Sequence, residues 1–277
     1  MPADVDALVL SNDRLSEAYN VVKLAAPAIA AAVQPGQFVM VREDRPEAPL
    51  LRRPFSVFEV LRDGRGEPSG ISLLNKRVGV VTRALYALEP GAHLQCLGPL
   101  GQPFSVSAPP AAAWMVAGGV GLAPFATLAE ALRARRTPAT LFYGGRSARD
   151  LFHVDWFERQ GVRVVLATED GSRGEAGLIT APLERELAAL PAAAALMIHA
   201  CGPTGMMRAV AQLAQALGRS TEVSLEPVMG CGLGGCYSCV VPLRTGRPAT
   251  SRLVRSCLHG PVFPGNRVVW NELAPAH

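Results

Sequence analysis

Apolar positions come in short runs along the first hundred residues. Ala7–Leu10, Tyr19–Leu24, Gln37–Arg42, Ser56–Val60, Gly70–Leu74 and Leu94–Leu97 each alternate or run apolar over a strand's length. Between them stand turn signals such as Pro35-Gly36, Asp63-Gly64 and Pro90-Gly91. Strands at this spacing predict a six-stranded Greek-key barrel over residues 1–106. A Pro- and Ala-rich connector, Ser107–Ala113, follows, and the rhythm then changes. Buried-strand patterns at Trp114–Ala117, Thr140–Tyr143, Val162–Ala167 and Leu196–Cys201 alternate with helical ones at Pro124–Arg135, Val154–Gln160, Leu183–Leu190 and Gly205–Leu217. That alternation predicts an open, mostly parallel sheet with helices on both faces over 107–219. Residues 220–277 form a third, small segment rich in cysteine.

Composition narrows the picture. Across 277 residues, 49% hydrophobic and 18% charged, there is apolar material for large cores and no signature of disorder. The net charge is +4, and its arginines are scattered, which argues against a nucleic-acid partner. Ser105–Ala129 and Leu187–Met207 are uncharged and long, yet Gly and Pro interrupt both, so they read as strand, turn and helix rather than membrane spans. The opening Met1-Pro-Ala-Asp-Val-Asp has neither the basic nor the apolar region of a secretory signal. A cytoplasmic chain is expected, whose six cysteines serve as ligands rather than disulfides.

Four of those cysteines carry the sharpest signal. Cys231, Cys236 and Cys239 stand in C-x4-C-x2-C spacing, and Cys257 follows after a gap. This is the plant-type arrangement for a [2Fe–2S] cluster. With four thiolates the oxidised cluster carries a charge of about −2, so its sulfurs need backbone amides close by. Gly232, Gly234 and Gly235 suit that approach. The other reading is structural zinc, which more often takes two separated C-x2-C pairs.

Further motifs lie upstream. Arg53-Pro54-Phe55-Ser56 offers a guanidinium fork for a diphosphate and a hydroxyl for the edge of a flavin ring, though an Arg and a Ser beside a strand are commonly just solvated. Gly79-Val-Val-Thr82 precedes the helical turn Arg83–Leu88 and reads equally as a phosphate seat or as a helix capped by Thr82. Gly118-Gly119-Val120-Gly121-Leu122-Ala123-Pro124 joins a strand to a helix, with free amides and the helix dipole favouring a pyrophosphate. It lacks the G-x-G-x-x-G form, so a nicotinamide nucleotide bound in a different α/β lineage is expected.

Cys201-Gly202-Pro203-Thr204-Gly205-Met206 repeats the strand, glycine turn and helix, with Cys201 at the strand's lip, facing the nicotinamide or inert in the core. Asp170, in Thr168-Glu-Asp-Gly-Ser172, is a further candidate or a plain Asp-Gly turn. Arg146 is of the type that pairs with a 2′-phosphate and equally of the type on any surface, so NADH and NADPH both stay open. His93, His153, His199, His259 and His277 form no metal-ligand spacing, and no nucleophile elbow or carboxylate pair suggests hydrolysis.

In order, the motifs RPFS, GPLG (Gly98–Gly101), GGVGLAP, CGPTGMM and MGCGLGGCYSC…C resemble those of the ferredoxin-reductase-like electron-transfer proteins. More closely, they resemble the electron-transfer subunits of two-subunit, NAD-dependent dihydroorotate dehydrogenases, over nearly the whole chain. That resemblance implies a flavin site at Arg53, Pro54, Phe55, Ser56, Leu73, Asn75, Lys76, Gly79 and Thr82. It implies a pyridine-nucleotide site at Gly118, Gly119, Gly121, Pro124, Cys201, Gly202, Pro203 and Met206, and cluster ligands at Cys231, Cys236, Cys239 and Cys257. It implies FAD where the residues alone fit FAD or FMN, with NAD(H) as the second nucleotide. The implied partner is a separate FMN-containing catalytic subunit that oxidises dihydroorotate, in a heterotetramer of two copies of each.

A diaphorase subunit of a sulfide dehydrogenase, hydrogenase or NADH-dependent ferredoxin:NADP+ reductase shares the same order of motifs. A zinc-stapled binding protein is the reading from another class. Two features depart from the family: His259 where an acidic residue is common after the fourth cysteine, and a long linker from Cys239 to Cys257. A histidine there is expected to raise the cluster potential relative to a carboxylate.

Overall fold

The structure, a computed structural model, describes every residue except 44, 46, 47, 246–249 and 274–277; His277 lies outside the described residues. The first half builds one antiparallel sheet from β1 (Ala3–Arg14), β2 (Tyr19–Ala25), β3 (Phe38–Glu43), β4 (Arg53–Ser56), β5 (Val60–Arg62), β6 (Pro68–Lys76) and β7 (His93–Leu100), with short helices α1 (Pro27–Ala30) and α2 (Val80–Ala87). Its strand order is β4-β3-β7-β1-β2-β6-β5. The consecutive strands β4 and β5 therefore sit at opposite edges. Between them Val57 N bonds Gln37 O on one side and Phe58 N bonds Ser72 O on the other, so the sheet curls into a half-barrel.

This crossing explains why seven strands replace the expected six. Val57 and Phe58 are both fully buried, which reads in sequence as one continuing strand, whereas the chain crosses the barrel there. Ala7, Val9, Val22, Leu24, Val39, Val41, Ile71 and Leu73 fill the interior.

The second sheet takes β8 (Ala112–Gly118), β9 (Ala139–Gly145), β10 (Arg163–Thr168), the two-residue β11 (Glu175–Ala176), β12 (Leu196–Cys201) and β13 (Ser220–Ser224), all parallel. Its helices are α3 (Phe125–Ala134), α4 (Val154–Arg159), α5 (Thr180–Ala189) and α6 (Thr204–Ala216). The central strand β8 is buried on both faces from Ala113 to Ala117, as a parallel strand covered on two sides must be. α6 buries Met207, Val210, Ala211 and Ala214, an i, i+3, i+4, i+7 stripe.

The final segment forms a hairpin, β14 (Val240–Arg244) with β15 (Ser251–Arg255), then a turn of helix α7 (Ser256–His259) and β16 (Val262–Pro264). β16 pairs antiparallel with β13, so the second sheet draws strands from beyond the cysteines. A small core of Phe38, Met40, Leu100, Met229, Cys239 and Cys257 seats the cysteine segment on the barrel. The chain just before the connector is pinned as well: Ser105 O lies 3.0 Å from His199 Nε2 of β12, and Ser105 N donates to Glu222 at 2.9 Å.

Candidate functional site

The C-terminal ends of β8, β9, β10 and β12 open onto one cavity of about 1170 Å³. Ligands of open parallel sheets bind at this end, where loops diverge and helices begin. Gly118–Val120 follow β8, Gly144–Arg146 close β9, Glu169 follows β10, and Gly202–Met207 follow β12. The barrel contributes Tyr19, Arg53, Pro54 and Lys76. Leu225–Gly230, Ser238 and Val240 bring the start of the cysteine segment to the same cavity. Barrel motif, nucleotide turns and cysteine loop thus share one space.

The two nucleotide turns touch backbone to backbone. A Cβ on Gly121 would stand 2.6 Å from Cys201 C and from Gly202 Cα and would meet the Cys201 carbonyl oxygen. Glycine is required at 121 by that approach. Gly121 and Pro124 are buried and shape the turn from beneath, whereas Gly118 and Gly119 face the cavity.

Cys201 is fully buried and is absent from the cavity wall; its thiol donates to Glu226 Oε1 at 3.7 Å. Burial pushes the Cys201 thiol up, whereas Glu226 is exposed and opens onto the cavity. The group of this pair that reaches the cavity is therefore the carboxyl. Asp170 is turned to its own loop, where Oδ1 accepts from Ser172 Oγ at 2.6 Å and Ser172 N at 2.9 Å, and those bonds lower its pKa. Its neighbour Glu169 lines the cavity instead.

On the barrel side Arg53 is exposed, and Nη1 holds the carbonyls of Leu51 and Arg52, at 2.9 and 3.2 Å. Pro54 lines the cavity and Phe55 and Ser56 are half-buried. Leu73 lies in the barrel core. Asn75 is buried; Nδ2 donates to Asn20 Oδ1 and Thr82 O, while Oδ1 has no partner among the described residues. Gly79, not Thr82, is the N-cap of α2; the Thr82 hydroxyl accepts from Val78 N and Gly79 N at 2.8 and 2.7 Å and holds its own turn. An exposed guanidinium beside a large cavity and an orphaned buried carbonyl are groups a flavin nucleotide satisfies.

Tyr19 ties barrel to sheet. Its hydroxyl donates to Asp150 Oδ1 at 2.8 Å, with Lys76 Nζ 3.8 Å from the same oxygen and 5.0 Å above the Tyr19 ring. Burial raises the Tyr19 pKa strongly, so the phenol stays a donor. Tyr19, Asp150 and Glu226 are singled out by no motif, and Glu169 stands in the Thr168–Ser172 stretch beside the residue that the sequence favours, Asp170. The one signal for Glu226 and Glu169 is position, just past the ends of parallel strands.

All four motif cysteines are free, with Cys239 and Cys257 buried, Cys231 half-buried and Cys236 exposed. They stand as two pairs. Cys239 and Cys257 have their sulfurs 3.3 Å apart, and Cys231 lies near enough to Cys236 to help lower the pKa of its thiol. The hairpin makes the first pair possible, with Ser256 N bonded to Cys239 O. Leu233 N points at Cys231 Sγ at 3.4 Å and Cys257 N at Cys239 Sγ at 3.5 Å, while Ser238 Oγ lies 3.2 Å from Cys236 Sγ. The Ser238 hydroxyl, foremost among these bonds, lowers Cys236 to about 6, whereas burial pushes Cys257 up to about 12.

Gly234 adopts φ +82, a conformation that strains any residue with a side chain, and a Cβ there would stand 2.5 Å from Leu258 Cδ1 and oblige that side chain to move. Among the described residues no three His, Cys, Asp or Glu side chains close on a point that would hold a metal ion. Two thiol pairs with amides aimed at sulfur suit a binuclear cluster held by two thiolates per iron better than a single tetrahedral zinc. His259, at the end of α7, is exposed.

The chain is similar to known proteins over nearly its whole length. Residues 226–269 match the family described as the iron-sulfur cluster binding domain of dihydroorotate dehydrogenase B, and residues 115–212 match the oxidoreductase NAD-binding domain. The electron transfer subunit of dihydroorotate dehydrogenase B (NAD(+)) from Desulforamulus reducens is 35% identical over 266 residues, covering 96% of this chain and 98% of that one. The homologue of that subunit from Aquifex aeolicus is 31% identical over 97% of this chain and 100% of its own. Among solved structures, the NADH-dependent reduced ferredoxin-NADP oxidoreductase studied for flavin-based electron bifurcation superposes with a TM-score of 0.82 at 27% identity, covering 99% of this chain and 93% of that one. The cytochrome b5 reductase domain of Ulva prolifera nitrate reductase shares the fold at 17% identity and a TM-score of 0.62, over 78% of this chain and 94% of that domain.

Proposed function

Given that the chain belongs to the electron-transfer subunits of NAD(+)-dependent dihydroorotate dehydrogenase B, we propose that it relays electrons between a dihydroorotate-oxidising catalytic partner and NAD+. The observation that carries this reading is the continuous cavity whose wall runs from the barrel motif, past both nucleotide turns, to Gly230 and Ser238 of the cysteine loop. Bound in this chain, FAD supplies the exchange of a hydride pair for single electrons, and a [2Fe–2S] cluster supplies one-electron transfer.

The residues divide the work. Arg53 holds a diphosphate with its exposed fork; Pro54, Phe55, Ser56, Leu73, Asn75 and Lys76 make the flavin wall, with Gly79 and Thr82 shaping the turn beside it. Gly118, Gly119, Gly121 and Pro124, with Gly202, Pro203 and Met206, seat NAD(H), and Asp170 braces the loop that presents Glu169. Cys201 supports Glu226 from beneath rather than meeting the nicotinamide itself. Cys231 and Cys236 hold one iron, Cys239 and Cys257 the other. In functional terms the chain reads as a flavin stretch (1–106), a dinucleotide stretch (107–219) and a cluster stretch (220–277).

The partner is an FMN-containing catalytic subunit, in an assembly of two copies of each chain. Leu233, Tyr237 and Leu258 expose apolar surface around the cysteine loop, at 58%, 61% and 37%, and this face suits a protein partner. No helix among the described residues is long and apolar enough to cross a membrane; the assembly is assigned to the cytoplasm. Coexpression with the catalytic subunit tests the reading. A copurified complex that reduces NAD+ with dihydroorotate, and a chain alone that does not, supports it. Equal activity of the catalytic subunit without this chain contradicts it.

A further inference from the structure

Arg255 ends β15, pairs with Val240 across the hairpin and precedes the turn of α7 that carries Cys257. Its side chain folds back over the three-cysteine loop. Nη1 donates to Gly234 O at 2.8 Å, and the guanidinium carbon lies 4.7 Å from the centre of the Tyr237 ring. Both anchor points are left-handed, Gly234 at φ +82 and Tyr237 at φ +58. Gly234 lies between Cys231 and Cys236, and Tyr237 between Cys236 and Cys239. An aromatic residue seldom adopts this conformation and keeps it where its surroundings over-determine it. Here a charge-assisted hydrogen bond and a cation–π contact do so from one side chain. Among the described residues no carboxylate stands within ion-pair distance of Arg255, so its charge is not neutralised.

We infer that Arg255 is a positioning residue for the cysteine loop, clamping both of its turns to the strand that delivers the fourth cysteine and holding an unneutralised positive charge against the site. This rests on the reading of the four thiols as cluster ligands. The clamp makes two separable demands. The flat guanidinium fixes the loop, with one N–H on Gly234 O and its face on the Tyr237 ring, and the charge favours the reduced, more negative state of whatever the thiols bind.

The test uses the full chain, purified without oxygen as wild type, Arg255→Met and Arg255→Lys. Iron and acid-labile sulfide are counted first; then iron release to an Fe(II) chelator is timed and the midpoint potential is read by EPR. Arg255→Met is expected to release iron about tenfold faster, the rate equivalent of one lost charge-assisted hydrogen bond, and to have a lower potential. Arg255→Lys, which keeps a point charge without the planar guanidinium that meets both anchors at once, should release iron nearly as fast while its potential stays near wild type. If Arg255→Met assembles no cluster, the lysine variant still decides: wild-type release from Arg255→Lys overturns the clamp. Unchanged release and potential in Arg255→Met overturn the inference and leave the cluster reading intact. A wild-type chain holding zinc and no sulfide overturns the cluster reading itself.

Discussion

Replacing Gly121 by alanine asks how tightly the two nucleotide turns depend on each other. The added methyl would stand 2.6 Å from Cys201 C and Gly202 Cα, against an ordinary separation of about 3.5 Å or more. The obstacle is backbone, so no side-chain rotation relieves it. β8 and β12 are hydrogen-bonded neighbours, so the turns part only if the strand ends or the start of α6 shift. Overpacking of this kind costs about 1–3 kcal/mol, equivalent to about 5 °C in melting temperature for a chain of this size.

Both turns line the cavity, so the same displacement should raise the Kd for NADH about 10- to 100-fold. The assay is NADH titration by flavin fluorescence on flavin-loaded protein, with thermal unfolding alongside. Gly205 is the internal comparison. It lies in α6, and a methyl added there would meet nothing within 4 Å, so Gly205→Ala should hold or raise the melting temperature. Gly121→Ala with wild-type Kd and melting temperature would refute the close-packed turn pair.

Other outcomes follow from the same contacts. Cys257→Ser should lose the iron–sulfur absorption while flavin content and NADH-driven dye reduction persist, since Cys257 belongs to the buried thiol pair and not to the cavity wall; loss of flavin as well would contradict this. Glu226→Gln should slow flavin reduction by NADH about a hundredfold in stopped flow with iron and flavin contents unchanged, since it removes a negative charge from the cavity where positive charge grows on a nicotinamide as hydride leaves; a wild-type rate would exclude a role for the carboxyl. His199 has its pKa lowered to about 4 by burial, against about 6.5 when unfolded. The unfolded chain binds the proton first, so this contribution to stability is whole above about pH 6.5 and is lost as the pH falls toward 4. Denaturant midpoints from pH 7 to 5 should decline more steeply in wild type than in His199→Gln.

What the sequence discloses and what it withholds divide along a physical line. Cys231, Cys236, Cys239 and Cys257 are legible because ligand spacing is a property of the chain itself. Their grouping into two pairs is not, since it depends on a hairpin that carries Cys257 back to Cys239. The strand–turn–helix at Gly118–Pro124 is legible from its glycines and its neighbours, yet which glycine faces the cavity and which packs against Cys201 depends on the adjacent strand. Thr82 reads as a cap or a phosphate contact; its hydroxyl is consumed by the amides of Val78 and Gly79, a choice made by the turn's geometry. Tyr19 and Asp150, which bond across 131 positions, carry no local signal at all.

Joining a dinucleotide to a one-electron centre within one chain is the property on which everything else depends. The most direct test records the visible and EPR spectra of the anaerobically purified chain during titration with NADH. The expected result is flavin bands together with broad, longer-wavelength iron–sulfur absorption, both bleached by NADH, with the signal of a reduced [2Fe–2S] cluster growing in. A colourless protein with stoichiometric zinc, or flavin bleaching with no iron–sulfur features, would contradict it.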